Sequence, residues 1–92
     1  MDRLQMYIDG KWTDSSTGEV ITTINPATRE PLATFPRGGA EDVDRAVRAA
    51  RAAFESSQWQ ELLPAERGRM LLRLCQLIRG QKDELARLES QD

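Results

Sequence analysis

The sequence predicts an α+β fold, with three or four short strands in its first third and two or three amphipathic helices after them. Three observations carry this reading. Asp9-Gly10 sits between two short β-prone runs; Val20–Ile24 is a block rich in β-branched residues; and from residue 40 onward apolar residues recur at three- and four-residue steps.

The strands come first. Tyr7-Ile8 and Lys11-Trp12 flank Asp9-Gly10, a pair that supplies the positive φ angles a two-residue hairpin turn needs. Asp14–Gly18 is polar and predicts a loop. Val20–Ile24 is expected to be extended. Pro26 pushes Asn25 out of the helical region, so Asn25–Thr28 predicts a turn. Leu32–Phe35 is a further short strand, closed by Pro36-Arg37-Gly38-Gly39.

A first helix is expected over about residues 40–55. Val43, Ala46, Val47, Ala50, Ala53 and Phe54 form one stripe at helical spacing. Gly39 is an acceptable N-cap, and Glu41 and Asp42 suit the positive end of the helix dipole. Ser56–Trp59 is a break. Pro64 opens a second helical stretch, over about 64–91, at a position that tolerates a missing N–H. Met70, Leu71, Leu74, Cys75, Leu77 and Ile78 give it a broad apolar face. Gly80 is expected to interrupt or kink it, and Leu85 and Leu88 continue the stripe. Both stripes need a surface to pack against. The last helical residues run to Asp92 without a glycine, cap or turn, the pattern expected of a helix whose chain continues.

Composition narrows the function classes. Ninety-two residues make at most one small domain, with marginal stability alone. Thirteen basic and fifteen acidic residues give a net charge of −2, which argues against a nucleic-acid or anionic-membrane partner. There is one cysteine, so no intrachain disulfide forms. The opening residues do not resemble a secretory signal, and no apolar run is long enough to span a bilayer. A cytoplasmic compartment is the expectation. The absence of histidine removes Ser–His and Cys–His catalysis and the commonest transition-metal ligand.

The remaining candidates favour structural roles. Cys75 lies within an apolar helical face and is expected to be buried and inert. Arg67, Arg69, Arg73 and Arg79 read as a solvated face, with one or two in structural ion pairs. Gly38-Gly39 lacks dinucleotide-loop spacing and reads as a loop with a helix cap. Trp12 and Trp59 flank element boundaries, where ordinary packing is expected. The residues by themselves show no active site.

Six runs, taken together and in order, resemble the N-terminal segment of the aldehyde dehydrogenase superfamily. They are Tyr7–Trp12, Ile24–Thr28, Glu41–Val47 with Ala50, Ala53 and Phe54, then Trp59, Pro64–Arg67, and Asp83–Ala86 with Leu88-Glu89. The resemblance implies that residues 1–92 are an incomplete domain, the outer part of an α/β Rossmann-like domain that binds NAD or NADP. It implies a parent enzyme that oxidises an aldehyde to a carboxylic acid. In that chemistry a cysteine thiolate attacks the aldehyde, hydride passes to the nicotinamide, and a glutamate-activated water hydrolyses the thioester.

The catalytic and cofactor-contacting residues of the family have no counterpart here, and Cys75 does not match the nucleophile. The 92 residues alone are therefore expected to be inactive and to bind no NAD(P). The implied partners are the remainder of the fold and, in the parent, further copies in a homodimer or homotetramer. The resemblance also implies a monovalent cation site for K⁺ or Na⁺, with backbone carbonyls at Thr23 and Ile24 and the carboxylate of Asp92 as ligands. The alternative is a standalone, non-catalytic interaction module that binds a partner through its apolar helix faces.

Overall fold

The computed structural model describes residues 2–92. Met1, the first residue of the expected domain, lies outside them.

The strands fall where the turn chemistry puts them. β2 (Met6–Ile8) and β3 (Lys11–Thr13) form the expected hairpin, with Tyr7 opposite Trp12. Asp9 (φ 53°) and Gly10 (φ 73°) both lie in the left-handed region, as a tight hairpin turn of matching twist requires. β4 (Val20–Ile24) and β5 (Pro31–Pro36) pair antiparallel, joined by the Asn25 turn. There the Asn25 side-chain carbonyl accepts the Ala27 N–H at 2.9 Å, and Asn25 N–H donates to the Glu30 carbonyl.

One strand has no local signal in the sequence. β1 (Asp2–Arg3) pairs parallel with β5, so the three-stranded sheet runs β1-β5-β4. Two exposed polar residues carry no periodicity, and a parallel partner thirty residues away cannot be read locally.

The helices follow. α1 (Ala40–Glu55) starts at the Gly39 cap, as expected. The Ser56–Trp59 segment is less of a break than the sequence suggests. Ser56 ends α1 and also caps a one-turn helix, α2 (Ser57–Gln60), its hydroxyl accepting the Trp59 N–H. α3 (Pro64–Gly80) has Pro64 in its first turn, and Glu66 accepts the Leu63 N–H at 3.0 Å. The helix stops at Gly80, and α4 (Lys82–Gln91) begins after Gln81. None of these helices is long and apolar enough to cross a membrane.

These elements do not enclose a core. Among the described residues only Ser15, Ala33, Pro36 and Asp42 are buried, and α3 and α4 bury none. The molecule is a slab of 49 × 34 × 15 Å with a radius of gyration of 17.0 Å. A compact chain of this length would have about 12 Å. Its accessible surface is 7851 Å², against about 5,400 Å² for a folded monomer of its mass. About 2,500 Å² therefore lies open that a complete domain would cover.

Candidate functional site

The helix stripes form the largest unmet feature. On α1 the predicted stripe divides. Ala46, Ala50 and Ala53 border the hairpin beside Tyr7 and Ile8. Val43, Val47 and Phe54 face outward, 60%, 61% and 54% exposed. On α3, Met70, Leu71, Leu74, Leu77 and Ile78 share one side within about 120° of arc; all are roughly half exposed or more. Leu85 and Leu88 extend this band along α4.

The absent cover corrects three expectations. Cys75 is exposed rather than buried, because it shares the open face of α3. Trp12 is 68% exposed, its ring tilted against that of Tyr7 with the centroids 4.9 Å apart. Arg67, Arg69, Arg73 and Arg79 make no ion pairs among the described residues. Arg67 instead lies over the Trp59 ring at 5.6 Å, because Glu66 is already engaged at the start of α3.

One polar cluster is complete, and the sequence shows only half of it. Asp42 is 2% exposed, yet its carboxylate is fully partnered. It accepts N–H groups of Ser16 (3.0 Å) and Gly39 (3.0 Å), the Ser16 hydroxyl (3.2 Å) and the Arg45 guanidinium (2.8 Å). The Gly39 N–H, then Arg45, hold its pKa down from 3.8 to about 2; burial opposes them and Ser16 assists. The Gly39 contact follows from an acidic residue three positions after a cap. The Ser16 contact spans 26 residues and has no sequence signal. The same carboxylate fills the N-terminus of α1, so the Gly38-Gly39 loop is a cap, as expected, and presents a negative charge where a dinucleotide pyrophosphate would need donors. The residues at this helix start do not fit a dinucleotide pyrophosphate.

The cation candidates fare differently. The structure brings Thr23 and Asp92 together across 69 residues, the Thr23 hydroxyl donating to an Asp92 carboxylate oxygen at 3.1 Å. Ile24 follows Thr23 at the end of β4, and the pairing register with β5 shifts between these two residues. Such an irregularity disrupts the regular ladder and makes backbone groups available to other partners. A cleft of about 580 Å³ opens here, lined by Thr23 and Asp92 with Leu4, Phe35, Leu88, Asp2 and Glu89, and Ile24 is not part of its lining. Hard oxygen donors beside carboxylates suit a hard monovalent cation. Among the described residues no three histidine, cysteine or acidic side chains gather as a metal cluster.

Known proteins share both sequence and shape with this chain. A sequence model of the Aldehyde dehydrogenase family matches residues 12–92. The putative aldehyde dehydrogenase DhaS of Bacillus subtilis is 46% identical over 88 residues, covering 96% of this chain. The betaine aldehyde dehydrogenase of the same organism is 41% identical over 95% of the chain. The structure of an aldehyde dehydrogenase from Bacillus cereus in complex with NAD⁺ superposes with a TM-score of 0.94 at 41% identity, over 98% of this chain. In all three the chain spans only 18% of the relative's length.

Proposed function

Because this chain belongs to the aldehyde dehydrogenase family, we propose that it forms the N-terminal, outer part of the cofactor-binding domain in an NAD(P)-dependent aldehyde dehydrogenase. The observation that carries this reading is the pairing of a 0.94 superposition over 18% of a relative's length with helix faces left open in isolation. In the proposed enzyme, the α1 stripe and the α3–α4 band cover a sheet built by residues beyond these 92. The strands pack along the edge of that layer.

Within this assignment the chain supplies architecture rather than chemistry. Bound NAD(P) supplies the hydride acceptor, and the groups that hold it, the nucleophile and the oxyanion donors belong to other segments. The 92 residues alone are proposed to be inactive, and the parent to be a cytoplasmic homodimer or homotetramer. The test is a graft. Residues 1–92 replace the matching segment of the Bacillus cereus enzyme, and NADH formation is followed with acetaldehyde as probe. Turnover within about tenfold of the parent supports the assignment. A soluble graft with no turnover contradicts it.

We also propose that Thr23 and Ile24 carbonyls and the Asp92 carboxylate hold K⁺ or Na⁺ in the intact enzyme. The Thr23–Asp92 contact and the irregular ladder between Thr23 and Ile24 support this reading. The ion would tie the end of α4 to the end of β4. In the graft, added K⁺ should raise the melting temperature, and Asp92→Asn should remove that increment. An unchanged K⁺ response in Asp92→Asn would contradict the assignment.

A further inference from the structure

We infer that the open face of this segment docks onto the remainder of an aldehyde dehydrogenase subunit without a covalent link, so that the two pieces reassemble in trans. The inference rests on the proposed function and goes beyond it, because it makes covalent continuity with that remainder dispensable.

Area is the first argument. The surface in excess of a compact monomer's, roughly 2,500 Å² from the scaling of accessible area with mass, leaves room for the ~800 Å² per partner of a standard stable interface. Exposed apolar side chains occur on all three longer helices, Val47 and Phe54 on α1 and Leu74, Leu77, Leu85 and Leu88 on α3 and α4. Faces of this size on a soluble chain mark an interface.

Preorganisation is the second. Each element is held by contacts inside the segment. The hairpin has its left-handed turn, α1 its Asp42 clasp, α3 its Glu66 cap, and the end of α4 its bond to Thr23. The resulting shape matches an intact relative at a TM-score of 0.94. Docking therefore starts from elements whose turns and caps are already made, and sets only their mutual arrangement, which lowers part of the ordering cost of association.

The occupant follows from the same comparison. A relative five times longer carries this segment in this shape, so it also carries a surface complementary to the open face. A second copy of the 92 residues offers only another helix face, with no sheet layer to receive it.

The experiment co-expresses residues 1–92 with a tagged Bacillus cereus enzyme that begins after the position matching Asp92; the covalent graft is run in parallel. The expected result is co-purification at one to one and NAD-dependent acetaldehyde oxidation. The double variant Leu74→Asp/Leu77→Asp should lower the recovered complex at least about tenfold. Arg73→Glu, on the same helix but off the apolar band, should leave recovery unchanged. An active graft together with separate pieces that do not associate overturns docking in trans and leaves the family role standing. An inactive graft overturns both. Recovery of the 92 residues as their own dimer, to the exclusion of the tagged piece, also overturns the inference.

Discussion

Asp42 shows how one residue can outweigh its local reading. As an acid in the first turn of α1 it is worth a few tenths of a kcal/mol through the helix dipole. Its reach to Ser16 makes it the tie between the 14–18 loop and the helix. Its pKa is depressed on folding, so its contribution is present above about pH 4 and is lost as pH falls toward about 2. Protection of the Ser16 and Gly39 amides, relative to unstructured amides at the same pH, should therefore fall over that window. Asp42→Asn should accelerate their exchange about tenfold at neutral pH while the hairpin amides keep their rates; equal rates in variant and parent would remove Asp42 from this role. Gly10 makes a second residue-scale case. Its φ of 73° lies where a Cβ costs about 1–2 kcal/mol, so Gly10→Ala should destabilise the hairpin by that amount, read from the Tyr7–Trp12 fluorescence melt. The Asp9-Gly10 turn was fully legible in the sequence because two adjacent residues determine it. The Ser16–Asp42 contact was not, because tertiary folding alone brings its partners together.

At the scale of elements, the legible features were those with a local cause. β-branching placed β4, the Asn25-Pro26 pair placed the turn before β5, and Gly39 and Pro64 placed the starts of α1 and α3. Those with a remote cause escaped, β1 above all, since a two-residue parallel strand exists only because β5 lies beside it. α2 escaped for another reason, since four residues offer too little period to distinguish one helical turn from a break. Gly80 ends α3 without a positive φ, and a Cβ built there meets nothing within 4 Å. Gly80→Ala should consequently stabilise α3 by about 0.5–1 kcal/mol, because no strain offsets the lower entropy of the unfolded chain. Increased helical ellipticity and a higher urea midpoint would show it; an unchanged or lower midpoint would mean that glycine is required at this junction.

At the scale of the molecule, the sequence indicated apolar stripes without partners, and the structure leaves open the outward part of the α1 stripe and the stripe of α3 and α4. It also explains why Cys75, expected to be buried, is exposed: none of the described residues covers α3. Of the candidate site, the Thr23 hydroxyl meets the Asp92 carboxylate, a contact that periodicity and composition do not show. The account depends on one physical claim, that local elements form here without a core to bind them to one another. Calorimetry of the isolated 92 residues tests it most directly. A complete domain of this length would unfold in one peak of about 60 kcal/mol. The account predicts a broad transition carrying less than about half that enthalpy, with dye binding to exposed apolar surface before heating. A sharp, reversible peak near about 60 kcal/mol from a monomer, with equal calorimetric and van't Hoff enthalpies, would contradict it.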